Sequence, residues 1–429
     1  MDIIRVEGGH PLEGTVRVSG AKNSALKLMA ATLLAPGTTT LTNVPDISDV
    51  HVMGKVLKRM GARIEVVDKH TLAIDTSGVD SWEAPYELVA KMRASTAVMG
   101  PLLGRFGKAK IAMPGGCNLG ARKIDMHILG LEALGVEFDT SHGYIHADAS
   151  KGLTGTNVTL EFASVGATEN LIMAAVRAAG TTVIDNAARE PEIVDLACML
   201  NEMGAQIQGA GTPVVTVEGV NELHPVTHRV VGDRIEAGTF LVAGALVAGP
   251  AGVTVTGFSP QHLGMVIRKM EAMGVRIETL PDGSGLTAHR AEHIAPVDIQ
   301  TLPFPGFPTD MQAQAMTLSA LAEGNSIITE NIFENRFMFA SELVRMGADI
   351  HIEGHHAMIH GVRGYSGAPV TSPDLRGGAA LVLAGLIAEG TTDVSAIHHI
   401  DRGYENFVEK LVGLDACVER TTVPDPDLD

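Results

Sequence analysis

Cys117 sits in the segment Pro114-Gly115-Gly116-Cys117-Asn118-Leu119-Gly120-Ala121-Arg122-Lys123-Ile124-Asp125, on a glycine-rich turn with an arginine five residues further on. Adjacent glycines reach backbone conformations closed to other residues and let a ligand come close to the chain. Amide N–H groups exposed on such a turn suit an anion, and Arg122 can grip one bidentately. A thiol in that electropositive setting gives up its proton more readily and can serve as nucleophile or acid. Taken alone, Cys117 reads first as a small apolar loop residue. Its place among the surrounding elements has to decide.

Those elements repeat. A bulky residue, a glycine and a small residue close a helical pattern at Met60-Gly61-Ala62, Leu134-Gly135-Val136, Met203-Gly204-Ala205, Met273-Gly274-Val275 and Met346-Gly347-Ala348. A degenerate sixth copy is Leu414-Asp415-Ala416, and successive middle positions lie 68 to 74 residues apart. The glycine is the C-cap that turns each helix into a strand, as in Arg63-Ile64-Glu65-Val66-Val67 or Asp349-Ile350-His351-Ile352. Upstream, helices rich in Ala, Gly and Leu run over residues 25–34, 167–179, 237–247, 312–322 and 378–388. A Gly-Thr-Thr turn or its like and a short strand follow, as in Gly37 to Leu41, Gly180 to Ile184 and Gly390 to Val394. A second, amphipathic helix closes the unit, over 52–60 or 337–346 for example. The first helices are apolar all round, which predicts burial on every side; the second have a polar face.

This pattern predicts an α/β (α+β) fold of two domains: six repeats of about 70 residues, three per domain, with buried helices gathered inside and sheets outside, an inside-out α/β barrel. The predicted division is residues 1–21 with 232–429 as one domain and 22–231 as the other, the latter carrying Cys117. Two crossings of the chain would make a hinge and a closable cleft.

Composition bounds the function. The chain has 429 residues, 45% apolar but only 4% aromatic, so Ala, Val, Ile, Leu and Met must build its cores. Three cysteines, Cys117, Cys198 and Cys417, are widely spaced and show no metal-ligand pairing along the sequence, which argues for a reducing compartment and against a disulfide framework or zinc site. The start, Met1-Asp2-Ile3-Ile4-Arg5, lacks the form of a signal peptide, and no apolar run is long enough for a membrane span. A cytoplasmic protein with no membrane partner is expected. A net charge of −18 speaks against nucleic acid as a partner. It leaves room for a small anion, because a few converging arginines dominate a local field.

Chemically able residues fall in two registers of the repeat. One is the start of the buried helix, with Lys22-Asn23, Arg93, Ser164-Val165-Gly166, Asp233 to Glu236, Thr309-Asp310 and Asp374-Leu375-Arg376. The other is the loop before the second helix, with Asp46, Cys117 and Arg122, Arg189-Glu190, Glu334-Asn335-Arg336 and Asp401-Arg402. Equivalent repeat positions face the same end of a domain, so these groups should converge where helix N-termini favour anions. Salt-bridged caps between repeats would use the same Arg–Glu and Asp–Arg pairs, and Asp310 is either a helix cap or a positioned base. The seventeen histidines show no metal spacing. Neither a phosphate-binding P-loop nor a dinucleotide fingerprint is present.

Six collinear motifs carry a resemblance. Ser19-Gly20-Ala21-Lys22-Asn23, Pro114-Gly115-Gly116-Cys117, Gly120-Ala121-Arg122, Asn186 to Asp195, Phe307-Pro308-Thr309-Asp310-Met311-Gln312 and His399-Ile400-Asp401-Arg402-Gly403-Tyr404 together resemble the UDP-N-acetylglucosamine enolpyruvyl transferase family, from about residue 3 to about residue 418. The resemblance implies that the first strand joins the C-terminal half. It also implies a transferase that moves the enolpyruvyl group of phosphoenolpyruvate to the 3′-hydroxyl of UDP-N-acetylglucosamine with release of phosphate, the first committed step of peptidoglycan precursor synthesis, and so a part in cell wall biogenesis, cell shape and division. Cys117 would protonate the methylene carbon and can add to the central carbon, and Asp310 would accept the sugar hydroxyl's proton. Lys22, Arg122 and Arg402 would hold phosphate and carboxylate, with Asn23 beside them and Arg376 and Arg336 as further candidates on that side. Asn23, Arg93, Arg122, Lys123, Ile124, Asp125, Met126, Val165, Asp310 and Ile332 would position the nucleotide sugar. No metal or organic cofactor is implied, and oligomeric state stays open.

Ala97 stands where some members carry an aromatic residue near the uridine, and Phe162 where some are basic. Asp415 replaces the last capping glycine. Within the same fold, 5-enolpyruvylshikimate-3-phosphate synthase runs this chemistry on another alcohol; the Pro-Gly-Gly-Cys and Gly-Ala-Arg motifs speak against it. Intact Lys22, Cys117, Asp310 and Arg402 likewise oppose a catalytically weak ligand-binding regulator.

Overall fold

The computed structural model describes residues 1–84, 93–113 and 124–424, the side chains of 93–95 excepted. The chain divides into two compact units, and among the described residues these are 1–19 with 232–424, and 20–84, 93–113 and 124–231. Each unit has its own apolar core.

In the unit holding the chain termini, the helices Arg234–Val247, Gln312–Ser319 and Leu375–Ile387 pack on one another. Every residue of Arg234–Val247 and of Gln312–Ser319 is buried. All-round apolar faces leave no side for water, so these helices occupy the middle and sheets cover them. In the other unit Met99–Phe106 packs on Val165–Ala175, and Lys22–Ala31 joins them through the 3-10 helix Arg93–Val98 and the Lys27–Glu169 ion pair. Buried cores of Ala, Leu, Val and Met let helices approach closely, and glycines sit at their contacts: a Cβ on Gly100 would lie 2.4 Å from the Asn170 carbonyl oxygen.

Among the described residues there are six sheets, one per repeat. In the first, Thr38–Thr42 and Arg63–Asp68 both run antiparallel to Thr71–Asp75, which lies between them. Thr227–Arg229, from the end of the third repeat, adds a parallel strand at the far edge, with Thr227 opposite Thr40. The last repeat of that unit thus lends a strand to its first and closes a ring of three.

The other unit closes in the same way but needs the N-terminus to do it. Its sixth sheet has Thr391–Ser395 and Val418–Thr422, and Asp2–Glu7 fills the position between them, with Ile4 opposite both Val394 and Arg420. The next strand, Leu12–Arg17, pairs parallel with Ala248–Thr256 in the fourth repeat. The repeat register explains the turns: Gly61, Gly135, Gly204, Gly274 and Gly347 all have φ between +91° and +108°, where an L side chain is strained. One predicted element differs. The second helix of the fifth repeat is regular only over Ala340–Arg345 rather than from Phe337, because residues 334–339 form turns that carry the Arg336 side chain inward.

Candidate active site

Asp310 lies in the short 3-10 turn Thr309–Met311 that leads into Gln312–Ser319. Its carboxylate is held from two sides. Arg336 Nη2 donates to Oδ1 at 2.9 Å, and Arg376 donates to Oδ2 through Nη2 at 3.1 Å and Nε at 3.3 Å. The two arginine side chains are only 4% and 2% exposed, whereas that of Asp310 is 25% exposed. A guanidinium buried that deeply has to be paired, so the cations fix the carboxylate while leaving part of it open to solvent.

The sequence arranges this locally. Arg376 is the second residue of Leu375–Ile387, and Asp374 caps that helix by accepting from the Arg376 and Gly377 amides at 2.8 and 3.0 Å. Behind it, the Arg376 guanidinium lies 5.1 Å from the centre of the Tyr404 ring. The Tyr404 hydroxyl is 2.9 Å from Thr239 Oγ1 and accepts from Gln314 Nε2 at 3.1 Å. Burial pushes the phenol up, against the pull of Arg376, so it stays a neutral support beneath the cation.

A carboxylate that sequence reasoning passed over fixes the neighbouring loop. Glu330, 3% exposed, accepts from Thr301 Oγ1 and Thr309 Oγ1, both at 2.9 Å, and from the amides of Ile332 and Phe333 at 2.8 and 3.1 Å. Four donors to one buried carboxylate tie the half-buried Ile332 to Thr309, the residue before Asp310. The nearest sequence signal was its place just beyond the strand Asn325–Thr329. Arg402 is half-buried at the end of the 3-10 helix Ile397–Arg402. Its neighbour Asp401 bonds Arg420 on the strand Val418–Thr422 rather than Arg402 beside it.

In the other unit, Lys22 opens the helix Lys22–Ala31 and its Nζ lies 3.0 Å from Asp49 Oδ2, both side chains nearly buried. The acid at this register is therefore Asp49, in the first turn of Ser48–Arg59; Asp46 faces His51 at 2.9 Å instead. Asn23 is exposed beside Lys22, and Val165 is half-buried at the start of Val165–Ala175, which Ser164 caps through the Ala167 amide at 3.3 Å. Ile124 and Met126 are half-buried and Asp125 exposed at the start of Asp125–Ala133. Beneath them His127 is buried and takes Asn170 Nδ2 at 3.0 Å; burial, with Lys27 adding to it, lowers its pKa to about 4 and leaves a neutral ring. Ala97 is part of the core and Phe162 is 40% exposed. Cys117, Arg122, Lys123 and the side chain of Arg93 lie outside the described residues.

The chain matches EPSP synthase (3-phosphoshikimate 1-carboxyvinyltransferase) as a family over residues 6–411. Among curated relatives, the UDP-N-acetylglucosamine 1-carboxyvinyltransferase of Desulfosudis oleivorans is 52% identical over 98% of this chain and 100% of its own length. That of Corynebacterium jeikeium is also 52% identical, over 98% and 99%. The chain belongs to the UDP-N-acetylglucosamine 1-carboxyvinyltransferase family. Among solved structures, the enolpyruvyl transferase NikO from Streptomyces tendae matches with a TM-score of 0.88 at 28% identity, covering 99% of both chains. EPSP synthase from Acinetobacter baumannii, at 18% identity and a TM-score of 0.76, shares the fold.

For a UDP-N-acetylglucosamine 1-carboxyvinyltransferase family member, the described geometry brings together Asp310, Arg336 and Arg376, three of the residues singled out from sequence. They come from both repeat registers and from the fifth and sixth repeats, as convergence at one end of a unit requires. Asp49, Glu330 and Tyr404 are the supporting groups that the sequence reading of this family member did not assign.

Proposed function

We propose that the protein transfers the enolpyruvyl group of phosphoenolpyruvate to the 3′-hydroxyl of UDP-N-acetylglucosamine and releases phosphate. Three groups at Asp310 carry the reading: an ionised carboxylate, partly open, anchored by two buried guanidinium groups, in a chain whose full-length relatives at about 50% identity bear that name. The reaction is an addition followed by an elimination. A proton adds to the methylene carbon as the sugar oxygen bonds to the central carbon and its hydroxyl proton passes to Asp310. The tetrahedral adduct then loses phosphate with the C–O electron pair, and a proton leaves the new methyl group to restore the double bond.

In this mechanism Cys117 supplies the proton to carbon. Arg336 and Arg376 aim the carboxylate of Asp310, and proton transfer to it accompanies C–O bond formation. Lys22, oriented by Asp49, acts with Arg122 and Arg402 on the phosphate and carboxylate, where negative charge builds in the adduct. Arg376 and Arg336 are further candidates on the phosphoenolpyruvate side. Asn23, Arg93, Lys123, Ile124, Asp125, Met126, Val165 and Ile332 position the nucleotide sugar. The product feeds peptidoglycan precursor synthesis in the cytoplasm, and through it cell shape and division; among the described residues no helix is long and apolar enough to cross a membrane.

Phosphate release by purified protein with both substrates tests this reading. Release with UDP-N-acetylglucosamine and none with shikimate 3-phosphate is expected. The reverse pattern would replace the acceptor assignment with the alcohol named by the broader family.

A further inference from the structure

Apart from the residues above, the folded chain brings together three different metal-binding side chains. Glu7, His10 and Cys417 are all exposed, and their ligand atoms lie within 4.8 Å of one another. Cys417 Sγ is 3.3 Å from Glu7 Oε2, and His10 Nε2 is 4.0 Å from Glu7 Oε1. Tetrahedral zinc with Zn–S, Zn–N and Zn–O bonds of about 2.0–2.3 Å has ligand atoms about 3.3–3.8 Å apart along its edges. The sulfur-to-carboxylate separation already has that length, while the imidazole lies nearest the other carboxylate oxygen and has to swing inward for the three donors to share one ion.

The backbone beneath is rigid. Glu7 ends the strand Asp2–Glu7, whose Val6 is opposite Val418, and the Glu7 amide donates to the Cys417 carbonyl at 2.9 Å. Gly8 and Gly9 donate to the carbonyls of Gly390 and Leu386 at 3.1 and 2.9 Å. A Cβ on Gly8 would lie 2.0 Å from the Ala388 oxygen, and Gly9 has φ +88°, which brings His10 back over Glu7. Only glycines permit that return.

The geometry points to a divalent-metal site at Glu7, His10 and Cys417 that takes zinc or a similar borderline-soft ion and clamps the first strand of the chain to the last. A thiolate, an imidazole and a carboxylate form a donor set for zinc rather than for magnesium or calcium, and a fourth position is left for water. Thiolate and carboxylate together neutralise the ion. Without metal, Glu7 accepts from the thiol and holds its proton on, so binding breaks the S–H bond, releases that proton to solvent and forms the S–metal bond with no change of oxidation state. Along the sequence the three cysteines show no such pairing; it exists only because the N-terminal strand enters the sixth sheet.

The test is titration of the full chain with Zn2+ by calorimetry, and with Co2+ by absorption, for wild type, Cys417→Ser and His10→Ala. Loss of even an outer-shell partner costs roughly 10- to 100-fold in metal affinity, so each variant should bind zinc at least about tenfold more weakly. Cys417→Ser should also lose the thiolate-to-cobalt band while keeping its metal-free turnover. Zinc should raise the melting temperature of wild type and not of the variants. Zinc affinity equal in wild type and both variants would place the metal on other groups and overturn the proposal, and so would the absence of any binding by wild type.

Discussion

Arg376 donates through both Nε and Nη2 to a single oxygen of Asp310, at 3.3 and 3.1 Å, from a side chain only 2% exposed. A lysine keeps the charge but not the fork that makes both contacts. Arg376→Lys should therefore fold yet lose roughly 100-fold or more in kcat, on the scale of removing one preorganised donor. Steady-state phosphate release measures it; near wild-type turnover would remove Asp310 orientation from the mechanism.

Asp310→Asn removes the charge at nearly constant shape and takes away the carboxylate that pairs with two buried guanidinium groups, although Asp233 still acts on Arg376. Breaking a buried pair from one side costs about 3–5 kcal/mol, and loss of a general base about 100- to 10,000-fold in rate. Both should appear, the first in denaturant unfolding and the second in turnover. Asp310 is partly exposed, so the stability loss should lie at the lower end of its range.

Glu330 is expected to act through position alone. Glu330→Gln replaces one accepting oxygen by an NH2 group that faces donors, at about 1–3 kcal/mol for a donor left unmet. The loop with Ile332 loosens, so KM for the nucleotide sugar should rise more than kcat falls. An unchanged KM beside a reduced kcat would assign Glu330 to the chemistry instead.

Much of this was legible in the sequence, for a physical reason. The capping glycines must adopt positive φ and the central helices must be apolar all round, so both leave marks in single residues. The helix Met99–Phe106 left none that stood out, because Pro101 interrupts the pattern although its place in the first turn is tolerated. The partners of known candidates were harder still. Asp49 was hidden by Asp46 three residues earlier, and only the helix start at Ser48 decides which acid meets Lys22. Glu330 lacked any pattern, since its four donors come from three separate stretches of chain. The cross-sheet meeting of Glu7, His10 and Cys417 depends on where the first strand pairs, which no local signal fixes.

His127 gives a pH dependence whose sign is fixed. Burial lowers its pKa to about 4 from the 6.5 of a free imidazole, so the unfolded chain binds the extra proton between those values. Stability of its unit should fall as pH drops from 6.5 towards 4, by on the order of 3 kcal/mol at most. His127→Gln cannot titrate and should flatten that part of a melting-temperature profile. A profile of the same slope in the variant would assign the effect elsewhere.

Asp415 closes the sixth repeat where the other five have glycine, and the backbone is the same. Its amide donates to the Val412 carbonyl at 3.0 Å and that of Ala416 to Leu411 at 3.1 Å, as Gly61 does to Lys58 at 3.1 Å and Ala62 to Leu57 at 3.0 Å. This is the paired C-terminal cap that calls for a left-handed residue, and Asp415 has φ +68°. An L residue there is strained by up to about 1–2 kcal/mol, less for Asp, whereas glycine gives up unfolded-state freedom of about half that. Asp415→Gly should thus stabilise the unit by at most about 0.5–1 kcal/mol with turnover unchanged. Gly61→Ala should do the opposite and more strongly, because its Cβ would lie 2.4 Å from the Gly78 oxygen as well as at φ +108°. Urea unfolding of the two variants against wild type decides it: if Asp415→Gly lowers the midpoint, the aspartate is making a contact that outweighs its strain.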